Sequence, residues 1–171
     1  MMENDDLNKE MILEIFYSTK GGIDKVNAAI DARLATHGTR KISMFEKFIQ
    51  ARLTKNHTVL KLENFAITPL EVVYLSRHPD LERLQVLDLR KNGIGDMGLD
   101  AIAHSSVFSN LRELDIRNNL ISRVGMESFA RSTTLPLLEK LDVRINKLGK
   151  RWEEKLKESG KFPCLGTVRV V

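Results

Sequence analysis

Aliphatic residues recur at fixed positions along most of the chain, separated by polar ones. The segment 84–94 reads LQVLDLRKNGI, and closely similar segments occupy 111–121 and 138–148. Each copy begins 27 residues after the previous one, which marks a structural repeat of that length. Self-similarity at such a period is typical of proteins built by stacking one small unit many times.

Two further copies are less regular. A step of 27 residues backwards reaches 57–67, where His57 replaces the first leucine and Phe65 replaces the asparagine. A step forwards reaches 165–171, which the chain end cuts short. Outer repeats are expected to be atypical. Residues 57–171 are therefore predicted to hold four full repeats and one truncated repeat.

Within each repeat the pattern predicts a short strand and then a helix. Leu87 and Leu89 alternate with polar residues, a period of two that indicates a strand with one buried face. The spacing then changes to that of a helix with one inward stripe. The predicted inward residues are Leu99, Ile102, Ala103 and Val107, followed less regularly by Val124, Phe129 and Ala130. Stacked units of this kind predict a parallel sheet and a continuous core.

An asparagine follows each regular strand, at Asn92, Asn119 and Asn146. A buried amide at the turn can bond to free backbone groups of its own repeat and of the next one. Since an unmatched buried polar group costs about 1–3 kcal/mol, this column is interpreted as structural. Phe65 interrupts the column, so the first repeat is expected to form its turn differently.

The pattern L-x-x-L-x-L-x-x-N-x-L resembles the leucine-rich repeat family over about two-thirds of the chain. Gly98 and Gly125 each precede a large apolar residue by four positions, which resembles the ribonuclease-inhibitor-like subtype. Glu71 and Trp152 replace that glycine in the outer repeats. The resemblance implies an α/β solenoid with a parallel sheet on its concave face, helices on its convex face, and partner binding through the concave face.

Residues 1–56 lack the repeat and are predicted to form an α-helical N-terminal cap. Apolar spacing indicates three helices, with a break at Gly21-Gly22 and a second end near Gly38. Ser43 is the expected N-cap of the third helix. Caps are needed for the solubility of repeat arrays, although a second binding role for this segment stays open.

Side chains between the buried leucines are expected to lie in columns on the concave face, because neighbouring strands are about 4.8 Å apart. The candidate partner-binding residues are Val59, Lys61, Glu63, Val86, Asp88, Arg90, Glu113, Asp115, Arg117, Lys140, Asp142 and Arg144, with Thr167, Arg169 and Val171 continuing the columns. Stacked aspartates repel by up to about 0.9 kcal/mol per pair, which neighbouring arginines can offset. The face is therefore either a self-neutralised solvated surface or a charged docking surface with a small valine anchor at one end.

The charge distribution adds an alternative to partner binding through the concave face. The net charge is +4, and residues 140–161 are rich in lysine and arginine. A basic C-terminal helix could bind a polyanion or a membrane surface, although interspersed acidic residues also fit a solvated helix face. The residues concerned are Lys147, Lys150, Arg151, Lys155 and Lys157.

The last apolar strand, 165–171, is predicted to have an unprotected edge. Either the flanking charges of Lys161 and Arg169 keep the chain monomeric, or the edge adds a strand from a partner or a second copy. Self-association through this segment is thus a further expectation.

Composition argues against several function classes. A single cysteine, Cys164, excludes an internal disulfide, fits a reducing compartment, and is expected to be a small buried residue. His37, His57, His78 and His104 have no metal-ligand spacing, and no phosphate-binding or nucleophile motif occurs. Aromatic residues at 6% disfavour a nucleic-acid stacking platform.

The function expected from the sequence is a non-enzymatic, cofactor-free protein-interaction module or adaptor in the cytoplasm, with delivery into a host cell left open. No apolar run reaches the roughly 18 residues of a membrane span. Regulation of a small GTPase is suggested only by the resemblance, since some members of the subtype act in that way.

Overall fold

The computed structural model describes residues 2–34 and 40–171. The chain divides after Lys55 into two compact units. The described residues contain seven α-helices and five β-strands. The expected helix end near Gly38 and the position of His37 lie outside the described residues.

The N-terminal unit contains α1 (Met2–Ser18), α2 (Ile23–Leu34) and α3 (Ile42–Leu53). Helix α2 packs against both α1 and α3. The buried side chains of the three helices follow helical spacing and include Ile12, Val26, Ile30, Phe45 and Ile49.

The predicted N-cap of α3 is wrong. The helix begins at Ile42, and the N-cap residue, Lys41, makes no side-chain capping bond. The Asp31 carboxylate on α2 instead accepts hydrogen bonds from the backbone N–H of Ile42 at 2.6 Å and of Ser43 at 3.2 Å, and from the Ser43 hydroxyl. A carboxylate from another helix thus satisfies the free N–H groups that Ser43 was expected to bind.

The C-terminal unit is built around a five-stranded parallel sheet whose strand order follows the chain. The strands are β1 (Val59–Lys61), β2 (Val86–Asp88), β3 (Glu113–Asp115), β4 (Lys140–Asp142) and β5 (Thr167–Arg169). Each residue pairs with the residue 27 positions later, for example Leu87 with Leu114. The register of the sheet therefore equals the period of the sequence repeat.

A helix follows each of the first four strands. These helices are α4 (Pro69–Leu75), α5 (Gly95–Ala103), α6 (Arg123–Phe129) and α7 (Trp152–Glu158), with a 3-10 turn at Pro79–Leu81. We call one strand, its turn and its helix a coil. Leucines from the strands and apolar residues from the helices are buried together, so stacked coils share one core.

Two predicted helix positions need correction. Val124 was expected to face inward, but 71% of its surface is exposed, because it lies in the first turn of α6 away from the core. Val107 is buried as expected, yet it lies beyond the end of α5 at Ala103. The inward positions Leu99, Ile102 and Phe129 are buried.

The repeated glycines allow neighbouring helices to approach closely. A Cβ atom at Gly98 would lie 2.8 Å from the Ile94 Cβ and 3.5 Å from Val72 on α4. A Cβ atom at Gly125 would lie 3.0 Å from the Asp96 Cα on α5. Glu71 departs from this pattern because it completes a capping box with Thr68 at the start of α4.

The asparagine column links the coils, but in the opposite direction to the one expected. The Asn92 side chain donates to Leu62 O at 2.8 Å and accepts from the N–H groups of Phe65 and Ile67. Asn119 and Asn146 likewise bond to the preceding coil rather than the next one. The first coil therefore forms its turn without an asparagine of its own, since Asn92 supplies the bonds.

Candidate functional site

The sheet exposes one face, which we call the sheet face, because the middle residue of every strand is buried beneath it. Leu60, Leu87, Leu114, Leu141 and Val168 are at most 6% exposed. The residues on either side of them point outward and are paired in register across all five strands. The sheet face is a shallow open depression that runs from Lys61 to Arg169.

Each arginine after a regular strand bonds to the aspartate two residues before it. Arg117 Nε lies 2.9 Å from Asp115 Oδ1, and Arg117 Nη2 lies 2.7 Å from Asp115 Oδ2. The same two-pronged arrangement joins Arg90 to Asp88 and Arg144 to Asp142. These planar forks are thus occupied within the chain, which makes them less available to a partner than the sequence suggested.

Weaker contacts connect these pairs from coil to coil. Arg90 Nε lies 3.5 Å from Asp115 Oδ2, and Arg117 Nε lies 3.5 Å from Asp142 Oδ2. At the near end, Arg90 Nη2 binds Glu63 Oε2 at 2.8 Å. We call this chain of contacts, from Glu63 to Arg144, the ion-pair ladder. It offsets the repulsion between stacked aspartates that the sequence predicted.

Contacts within the ladder shift the pKa values of Arg90, Arg117 and Asp142. Hydrogen bonding to the adjacent aspartate raises the pKa of Arg90 and of Arg117, and burial only partly opposes this. For Asp142, burial opposes ionisation, but hydrogen bonds from the side chain and backbone of Arg144 outweigh it and lower its pKa. Both directions favour the charged forms of these three residues.

Asp142 is expected to contribute stability at neutral pH that is lost on acidification. Since its folded pKa lies below the ordinary 3.8, the contribution is complete above about pH 5 and disappears as the pH falls through the folded value. Asp142→Asn should therefore show a shallower loss of the urea midpoint between about pH 5 and pH 3 than the parent chain. Glu154→Gln, at an exposed acid, is the control, and parallel curves for Asp142→Asn and the parent would contradict this role.

The two ends of the sheet face differ in chemistry. Val59 and Val86 are neighbours on β1 and β2, and both are half-buried, as a small apolar anchor requires. On the far side Lys140 Nζ binds Glu113 Oε1 at 2.6 Å. Asp88, a candidate contact residue, is only 6% exposed and is largely shielded by its own arginine.

The ion-pair ladder stops at Arg144, because the next coil carries Arg169 instead of an acid. Register places Arg169 beside Asp142, at the strand position that an aspartate occupies in the three preceding coils and Lys61 occupies in the first. Arg144 therefore faces a second cation, whereas Arg90 and Arg117 face an acid in the next coil. Within the described part of the chain, the exposed Arg169 side chain has no ion-pair partner. This end of the sheet face carries an excess of positive charge.

The predicted basic helix also needs correction. Helix α7 carries three glutamates against Lys155 and Lys157. Lys157 Nζ binds Glu153 at 2.9 Å, while Lys155 Nζ lies 4.4 Å from the centre of the Trp152 ring. The other three cations of this set, Lys147, Lys150 and Arg151, lie before the helix and are exposed.

The expected burial of Cys164 is wrong, because its side chain is exposed. His78 is buried, and its Nδ1 atom accepts a hydrogen bond from the Asp80 N–H, so it stabilises a turn. His104 is exposed and lies 3.2 Å from Asp100. Across residues 2–34 and 40–171, no helix has the length and hydropathy needed to cross a bilayer.

Two family models match the repeat region. A model described as Leucine Rich repeat matches residues 83–103, and one described as Leucine Rich Repeat matches residues 110–132. The search of curated proteins found no significant match. Proteins built from these repeats generally mediate protein–protein interaction. The matched segments coincide with coils of the parallel sheet and its outer helices, so the chain carries segments that match leucine-rich repeats within an α/β solenoid fold.

Proposed function

We propose that this chain is a non-enzymatic adaptor that binds a partner protein through the sheet face. The observation that carries the proposal is the open end of the ion-pair ladder at Arg144 and Arg169. A carboxylate of the partner placed between these two guanidinium groups would take the role that Asp115 has for Arg90 and that Asp142 has for Arg117. Arginine binds carboxylates in a planar, directional way, which suits this role.

The ladder itself contributes rigidity rather than free binding groups. Because Arg90 is held by three acids and Arg117 by two, their side chains lose little conformational freedom when a partner docks. Val59 and Val86 at the opposite end offer the apolar contact. A partner that matches this surface would be acidic where it meets β4 and β5, and apolar where it meets β1 and β2.

Reversing the two charges at the open end is expected to weaken binding of an acidic probe at least tenfold. The probe is a hexaglutamate peptide, added to the full chain while backbone amide NMR signals are followed. Signals of Arg144 and of 167–169 should shift with the parent chain, and Arg144→Glu combined with Arg169→Glu should abolish the shifts.

Arg131→Glu is the matched control, since Arg131 is an exposed arginine after helix α6 and outside the sheet face. It should leave the affinity of the peptide for the β4–β5 end within about twofold, because distant surface charges act only through screened long-range fields. An equal loss in both variants would mean non-specific charge attraction and would contradict the proposal.

Several narrower assignments belong to the same proposal. Residues 1–56 are assigned the role of a helical cap, because repeat arrays need a polar end for solubility. The glycines at 98 and 125 support the ribonuclease-inhibitor-like subtype. A cytoplasmic location and regulation of a small GTPase rest on cysteine usage and on the resemblance, respectively.

The outer edge of β5 supports self-association as a second arrangement. Among the described strands, none pairs with that edge, while Val168 and Val170 beneath it are already buried. A strand from a second copy could add there through backbone hydrogen bonds.

A further inference from the structure

An apolar pair occupies positions where the backbone favours other residues. In the first four coils, the position before the turn residue (Phe65, Asn92, Asn119 or Asn146) has a positive φ, between 52° and 59°, at Asn64, Lys91, Asn118 and Ile145. Asparagine adopts this left-handed region readily, whereas a β-branched residue such as isoleucine does so rarely. Leu120, with φ 60°, is a second large aliphatic residue in that region.

Neither residue gains burial in return for this conformation. Leu120 is 70% exposed and Ile145 is 74% exposed. A residue that is strained and also solvated contributes less to the fold than asparagine would at the same place. Backbone strain of this kind is concentrated at functional sites, so Leu120 and Ile145 are candidates for contact with a partner.

The turns that carry the two residues are adjacent, as their hydrogen bonds show. Asn146 Oδ1 accepts from Asn119 N at 2.9 Å and from Ile121 N at 3.1 Å, which are the residues on either side of Leu120. Ile145 directly precedes Asn146, so the turn that carries it lies next to the turn that carries Leu120 on the preceding coil. The exposed Val124 follows in the first turn of α6. We call Leu120, Val124 and Ile145 the turn patch.

Three cations follow Ile145 along the chain, before α7 begins. Lys147, Lys150 and Arg151 are exposed, and within the described residues their side chains form no ion pair. The turn patch thus combines an aliphatic centre with a basic margin. An apolar centre with a charged margin is the usual composition of a protein-binding surface.

We propose that the turn patch is a second docking site, separate from the sheet face, for an acidic segment of a partner protein that carries aliphatic side chains. Its apolar side chains would cover Leu120 and Ile145, and its carboxylates would meet Lys147, Lys150 and Arg151. Glu153 and Glu154 in the first turn of α7 lie next to these cations and would repel an extended anionic surface. A discrete segment, whose charges are spaced, fits better than a polyanion or a membrane.

The test uses a 12-residue peptide of glutamates with leucine at every third or fourth position, and a hexaglutamate peptide as comparison. Binding is measured by fluorescence anisotropy with the full chain, in the Arg144→Glu, Arg169→Glu background, so that the sheet face does not contribute. The leucine-containing peptide is expected to bind at least tenfold more tightly than hexaglutamate. Equal binding of the two, or stronger binding to phosphatidylserine vesicles, would overturn the proposal.

Replacing Leu120 and Ile145 by asparagine separates fold from function. Because asparagine tolerates the left-handed region, each replacement is expected to raise the melting temperature by about 2–4 °C. The double variant is expected to lose at least tenfold in affinity for the leucine-containing peptide. Lys91→Asn, at the same backbone position two coils earlier, is the control and should leave that affinity unchanged. A melting temperature that falls, or an affinity that stays the same in the double variant, would refute the assignment.

Discussion

Replacing Asn119 with alanine is expected to lower the free energy of unfolding by about 3 kcal/mol. The side chain is 0% exposed and donates to Leu89 O at 2.8 Å and to Arg117 O at 3.1 Å. It also accepts from the buried N–H of Ile94. Alanine removes these bonds and leaves backbone polar groups of two coils in a dry environment, where water cannot replace the lost partner.

The measurement is equilibrium unfolding in urea, with the slope of the transition checked for a change in the surface exposed. Asn110→Ala is the matched control, because the Asn110 amide also bonds to the preceding coil, at Glu82 O, but in contact with solvent. Its expected loss is below about 1 kcal/mol, since water can replace the amide. Equal losses for the two variants would show that the column is not a buried structural element.

Replacing Gly125 with alanine is expected to destabilise the chain by about 2 kcal/mol, although alanine normally favours a helix over glycine by about 1 kcal/mol. The added Cβ would approach the Asp96 carboxylate and lie 3.0 Å from the Asp96 Cα. Backbone cannot move aside as a flexible side chain can. The shift would also disturb the bonds from the Ser122 N–H and hydroxyl to Asp96.

Gly149→Ala is the comparison, because the same substitution is expected to have no destabilising effect at a glycine with free space around it. No atom lies within 4 Å of the Cβ that Gly149 would acquire, and its φ is not positive. Alanine there is expected to be neutral or to stabilise the fold by up to about 1 kcal/mol, because alanine lowers the conformational entropy of the unfolded chain. Thermal unfolding of both variants distinguishes the cases, and a stabilised Gly125→Ala chain would show that α5 and α6 are not in tight contact.

The repeat fold follows from the sequence because its period leaves few alternatives. Leucines that alternate within a strand and recur after 27 residues can be buried together only if the strands are parallel and in register. The predicted α/β solenoid with a parallel sheet is confirmed. Glu71 and Trp152, which depart from the repeat, lie in the outer coils where the neighbouring contacts differ.

Other features depend on side-chain geometry that spacing does not contain. Val124 satisfies the helical pattern, yet it lies in the first turn of α6 and outside the core. The sequence predicted that arginines and aspartates share one face. It did not predict the hydrogen bonds that join Arg117 to Asp115 and so occupy the Arg117 guanidinium group within the chain. A pattern of residue types shows which groups share a face, whereas rotamers decide which of them remain free for a partner.

A second column, of serines, was not predicted from the sequence, although its residues recur there at the repeat period. Ser105 Oγ donates to Ser76 O at 2.7 Å, and Ser132 Oγ donates to Ala103 O, so buried serines join the helix ends of successive coils. Ser105, Ser132 and Ser159 recur at the 27-residue period. Serine is common at helix ends in general, which hides this signal unless the repeats are aligned.

The central claim is that coils of 27 residues place their side chains in rows on one sheet face. Cysteines introduced at Glu113 and Lys140, with Cys164 replaced by serine, test it directly, because these positions are register partners. Neighbouring strands are close enough for a disulfide, whereas positions 113 and 142 are displaced by two further residues along the strand. Mild oxidation should therefore cross-link the 113–140 pair within one chain and leave the 113–142 pair largely reduced. Equal cross-linking of the two pairs, or none of the first, would contradict the register on which the proposed docking surface depends.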